Sequence, residues 1–202
     1  MNYKKARDLA WKILLEHKIS SLPVNVMKIC EEKKILLIPY SRSIDIIKEL
    51  DLEEQIQEND AFSFGNIICY DSTQSETRIR FSIAHELGHI LLHIKGTKEP
   101  TRYNREPSPT DDPIEAEANI FASRLLAPLC VIQFLNLNSA KEISEYCDIG
   151  YSAAKIRFSR LCEIRKRSSE RRQNKSHGTF LLSKLERAVI ENFKEYIEKN
   201  KR

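Results

Sequence analysis

The chain has 202 residues, 41% of them hydrophobic and 31% charged, with a formal net charge of +4. That is enough apolar material for one main domain plus an appendage, and no apolar run approaches the ~20 residues a membrane-spanning helix needs. Five cysteines (Cys30, Cys69, Cys130, Cys147 and Cys162) are odd in number, scattered and without C-x-x-C spacing. They indicate neither a disulfide framework nor a cysteine-ligated zinc, and the expected compartment is the reducing cytosol.

Early lysines begin the chain, but Asp8 and Lys12 interrupt its apolar stretch and no small-residue cleavage site follows. The segment does not read as a signal peptide. Ala6, Leu9, Ala10, Ile13, Leu14 and His17 recur on one face, which predicts a first helix over residues 3–18. Pro23 is expected to start a second helix running to Lys33, with Val26, Met27 and Cys30 on its apolar face. Ile35 to Tyr40 is a short apolar run that turns at Pro39, hence a strand, and Ile44–Leu50 reads as a brief helix.

Ala61-Phe-Ser-Phe64, then Gly65-Asn66, then Ile67-Ile-Cys-Tyr70 has the pattern of a β-hairpin with its turn at Gly-Asn. Asp71–Ser75 turns the chain into the next helix, with Ser75 or Thr77 near its start.

The helix that follows carries His85-Glu86-Leu-Gly-His89. Histidines at i and i+4 share one helix face and converge on one point, where a zinc ion would take both rings at roughly 2.0–2.1 Å. Glu86 is rotated one residue step away, angled to take a proton from water as a general base. The neighbours Ile83, Ala84, Leu87, Ile90 and Leu91 are apolar, so the helix is expected to be buried, where unpaired Glu and His side chains are costly. Gly88 costs up to about 1 kcal/mol against Ala in a helix, so its position implies that something needs the space.

His93 lies roughly 12 Å along the axis from His85, too far to share an ion with both. The third ligand is expected on a second helix, Asp111-Asp-Pro113-Ile-Glu115-Ala-Glu117-Ala-Asn119 and onward, whose buried stripe is Ile114, Ala118, Phe121 and Leu125. Beside that stripe, Glu115 reads as the third ligand. Asn119 reads as its outer neighbour, accepting a ring N–H from a ligand histidine, while Glu117 points to solvent. His93 is expected to pack beneath the site.

Arg78-x-Arg-Phe81-x-x-Ala-His85-Glu-x-Gly-His89-x-x-Leu-His93 followed by Glu115-x-x-Ala-Asn119-x-Phe-Ala-x-x-Leu-Leu-x-Pro128 resembles the ImmA/IrrE family of metallopeptidases. The resemblance spans roughly residues 21–161, with one departure at Ala127, where the family usually has Met. It implies a compact α+β zincin fold, Zn2+ held by His85, His89 and Glu115, and Glu86 as catalytic base. In zincins generally the strand before the metal helix edges the cleft, so Ile67–Asp71 is expected to border a groove for an extended substrate. It further implies that the protein cleaves or inactivates a transcriptional repressor of helix-turn-helix type.

Lys95–Asp112 is a polar, proline-rich connection in which Tyr103 and Arg105 are candidates to steady an oxyanion, though a surface loop is the plainer reading. Ala140–Leu161 has the rhythm of a helix-turn-helix, with Ile149 in the corner and Gly150 capping the second helix. Lys155, Arg157 and Arg160 there are the candidates for phosphate contacts, against the alternative of a hairpin that only packs. Arg165 to Lys175 is a basic run that reads as a solvated linker. Leu182, Leu185, Val189, Phe193 and Tyr196 mark a last amphipathic helix whose stripe needs a partner.

The expected organisation is therefore a metallopeptidase domain at 1–135, a helical module at 136–164, a linker at 165–178 and a C-terminal helix at 179–202. The expected function is a cytosolic zinc metalloendopeptidase acting on a repressor. The alternatives are an antirepressor that does not cut, and a DNA-binding regulator built on a peptidase scaffold.

Overall fold

A computed structural model describes residues 3–49, 59–93, 112–173 and 182–201. It is α+β, with a three-stranded sheet among many helices. Contacts group the chain into two compact units, one joining Met1–Arg7 to Asn25–Ala122 and the other joining Asp8–Val24 to Ser123–Arg202. The proline-rich connection at 94–111, with Tyr103 and Arg105, lies outside the described residues, as does 174–181.

Within the first unit, α2 (Val26–Glu32) begins later than Pro23 suggests. Asn25 is the better start signal: its side chain accepts from the Lys28 N–H, satisfying a backbone donor that a proline leaves open. The buried face is Val26, Ile29 and Cys30, spaced three and four apart, and Met27 is exposed.

Strand β1 (Leu36–Pro39) runs directly into α3 (Tyr40–Glu49), a longer helix than the Ile44–Leu50 expected. The hairpin forms as the pattern predicts: β2 (Ala61–Phe64) pairs antiparallel with β3 (Ile67–Tyr70), and Gly65 takes a positive φ of 54° at the turn. Strand order corrects one expectation. Parallel pairing with β1 makes β3 the central strand, so it has no edge to offer a substrate. Among the described residues, the edge strand that packs on α4 is β2.

Alternation decides what each face of this sheet meets. Phe62 and Cys69 pair across the hairpin and pack with Tyr40 and Ile47, so α3 covers that face. Ser63 and Ile68 pair next door and face the other way, towards α4 (Glu76–Leu92), which packs on β2 and β3. Ser75 sits at the N-cap of α4 but makes no side-chain cap bond. In the preceding turn Asp71 accepts from the Thr73 hydroxyl at 2.7 Å and from the Thr73 N–H at 2.9 Å. Those bonds, the hydroxyl's first, hold its carboxyl below the ordinary range.

In the second unit, α1 (Tyr3–Glu16) contributes buried Ala10, Ile13 and Leu14. Further helices are α5 (Pro113–Leu126, whose first ten residues belong to the first unit), α6 (Leu129–Phe134) and α7 (Ala140–Cys147). The turn after α7 is made by Asp148 in the left-handed region and by buried Ile149. Then α8 (Tyr151–Gln173) runs unbroken for 23 residues, so 165–173 is helix where a linker was expected.

The trio read as phosphate contacts is largely engaged. Arg157 is buried and donates through Nε to the Ala127 carbonyl at 3.1 Å, with a second bond from Nη2. Arg160 pairs with Glu163, and Lys155 lies over the Tyr151 ring. Arg157 turns inward because the C-terminal carbonyls of α5 lack helical partners and attract a cation.

The C-terminal stripe is also covered. It folds as two helices, α9 (Lys184–Asn192, opened by a Ser183/Glu186 capping box) and α10 (Lys194–Asn200), broken at Phe193. Val189, Phe193 and Ile197 are buried, α9 packs on α6, and Asn192 donates to the Ile19 carbonyl. Of the stripe, Val189 and Phe193 are core while Leu182, Leu185 and Tyr196 are half-buried.

Candidate metal centre

One helical turn separates His85 from His89 on α4, and their Nε2 atoms lie 2.9 Å apart with the rings edge to face. Glu115, in the first turn of α5, closes the triangle. Its Oε2 is 3.1 Å from His85 Nε2 and its Oε1 is 3.1 Å from His89 Nε2. One donor atom from each of the three residues can be chosen with all three within 4.8 Å of one another. Asp112 caps the helix start by accepting from the Ile114 N–H at 2.8 Å, which orients the turn bearing Glu115.

Gly88 explains how two helices bring these groups so close. A Cβ there would stand 3.0 Å from Cδ1 of Phe121 and 3.2 Å from Cα of Ala118. The glycine therefore lets the α5 backbone lie against α4, and Glu115, about one turn before Ala118, reaches both histidines.

The outer residues fall largely where the sequence puts them. His85 Nδ1 donates to Asn119 Oδ1 at 3.1 Å, which leaves Nε2 with its lone pair directed to the cluster. His93, at the C-terminal end of α4, lies beside His89 with ring centroids 5.8 Å apart and the rings tilted by 51°. Burial, and then the neighbouring His89, hold its imidazole below the ordinary value. The charge of Glu117 favours the charged form of His93, and Glu117 is half-buried where a solvated side chain was expected.

Glu86 is 2% exposed and its Oε2 accepts a hydrogen bond from Ser63 Oγ at 2.8 Å. Sequence reasoning did not single out Ser63. The available signal was a hydroxyl between Phe62 and Phe64 in an otherwise apolar strand, on the same face as Ala61. Asp60 was also missed, and Arg78 entered only as a motif residue with no role; the two pair with each other. They line a cavity of about 360 Å³ together with Ala61, Glu86, Glu115 and His85.

The donor set tests well against a metal. Two imidazole nitrogens and one carboxylate, with a carboxylate-bearing neighbour and an open cavity, match the composition of catalytic zinc sites. The half-buried carboxylate of Glu115 stands against the buried nitrogen of His89 and that of His85, so the cluster supplies polar partners mutually.

The IrrE N-terminal-like domain of peptidase family M78 matches residues 37–159, which include all of His85, Glu86, His89, Glu115 and Asn119. No curated protein and no solved structure gave a match. With its match covering more than half of the chain, and with a three-donor cluster built by the matched segment, this chain belongs to the IrrE N-terminal-like family of metallopeptidases.

Proposed function

We propose that the protein is a zinc-dependent endopeptidase whose substrate is a helix-turn-helix transcriptional repressor in the cytosol. The observation that carries the peptidase reading is the buried Glu86 beside the His85/His89/Glu115 cluster in an open cavity. The repressor as substrate rests on the family resemblance. Among the described residues no helix is long and apolar enough to cross a membrane.

His85, His89 and Glu115 would hold the ion, with Asn119 fixing the His85 tautomer. When bound, zinc acidifies water and polarises a peptide carbonyl. Glu86 takes the proton of the attacking water and hands it to the departing amine. An extended substrate would add to the edge of β2, whose first residue Ala61 lines the cavity. The DNA-binding alternative is disfavoured by Arg157, whose guanidinium is turned inward onto Ala127.

Glu86→Gln tests the reading, because it preserves shape and removes the base. Zinc should stay bound while cleavage of a cognate repressor falls by roughly 10²–10⁴-fold. Relief of repression at full strength by this variant would favour an antirepressor that binds without cutting.

A further inference from the structure

Glu86 carries the proposed chemistry, and a hydrogen bond to its carboxylate comes from the sheet. Ser63 is placed on the α4-facing side of β2 by strand alternation, opposite Ile68, and its hydroxyl donates to Glu86 Oε2 at 2.8 Å. Phe62 and Phe64 point to the other side and leave Ser63 as the hydroxyl that β2 offers this buried carboxylate. A glutamate has three rotatable side-chain bonds, and a hydrogen bond to an ionised group is among the stronger ones available.

We propose that Ser63 is the positioning residue for Glu86, holding Oε2 so that proton transfer runs through Oε1. This rests on the peptidase reading above. It also links two functions in one strand: β2 offers its edge to the substrate and, through Ser63, orients the base that acts on that substrate. Displacements of about 1 Å in such groups lower rates by around 10²-fold without altering what is bound.

The test uses the full-length zinc-loaded chain. Ser63→Ala should lower kcat roughly 10- to 100-fold while KM and zinc affinity stay within about twofold of the parent. Ser63→Thr, which keeps a hydroxyl in a residue that strands favour, should restore most of the rate. In a Glu86→Gln background the Ser63→Ala change should cost nothing further, since its effect passes through Glu86. An equal rate loss in both backgrounds would overturn the proposal, and so would a Thr variant as slow as Ala.

A readout free of activity separates this from a failure of the peptidase reading. In a crystal structure of zinc-loaded Ser63→Ala, the Glu86 carboxylate should rotate or split between rotamers. If it stays where it was, Ser63 does not position it. If the parent chain cuts no repressor while the carboxylate moves as described, the function reading fails and the positioning role stands.

Discussion

Replacing Gly88 by Ala tests the close approach on which the metal centre depends. The added Cβ would lie 3.0 Å from Cδ1 of Phe121, 3.2 Å from Cα of Ala118 and 3.4 Å from its carbonyl oxygen. Optimal carbon–carbon contact is about 3.5–4.0 Å, so the first pair is short by roughly 0.5–1 Å. The phenyl ring can turn aside, but the Ala118 backbone moves only if α5 moves. The two helices must therefore part by a few tenths of an ångström.

Metal–ligand distances tolerate about ±0.2 Å, so that displacement reaches Glu115 as a misplaced ligand. Zinc affinity should fall about 10- to 100-fold, the range seen when groups supporting ligands are disturbed. The effect on folding is smaller. Overpacking costs about 1–3 kcal/mol and the better helix propensity of Ala returns up to about 1 kcal/mol. Competition against a chromophoric chelator measures the first quantity, and thermal unfolding of the metal-free protein measures the second. A folded Gly88→Ala variant that binds zinc within about twofold of the parent, a difference under ~0.5 kcal/mol, would refute the argument.

Glu115→Gln should weaken zinc binding strongly and Glu117→Gln should not, since only Glu115 stands 3.1 Å from both histidine nitrogens; elemental analysis after dialysis distinguishes the two. Native alkylation followed by peptide mapping should find Cys162 labelled while Cys30, Cys69, Cys130 and Cys147 are protected, because only Cys162 is exposed. Burial also pushes the Cys30 and Cys130 thiols up from 9.0 to about 12. Between those values the unfolded chain has lost protons that the folded chain keeps, so stability should decline as pH rises above 9. Denaturation midpoints measured upward from neutral pH check this, and Cys30→Ala should flatten the decline.

Local periodicity determined a large part of this protein. His85, Glu86 and His89 are placed by the 3.6-residue turn alone, and the hairpin by alternation around Gly65-Asn66; both are properties of a few consecutive residues. Glu115 and Asn119 were legible because they share a helix face beside an apolar stripe. What the tertiary structure alone decided concerns partners distant in the chain. Strand order made β3 central and, among the described residues, β2 an edge, because β1 pairs with β3 and not with the strand that follows it. The same long-range pairing put Ser63 against Glu86, 23 positions away. Arg157 reads as a surface cation until the end of α5, 30 residues earlier, presents the Ala127 carbonyl. Val189 and Phe193 read as an exposed stripe until α6 covers α9. Spacing tells which side chains share a face, and only the folded chain tells what that face meets.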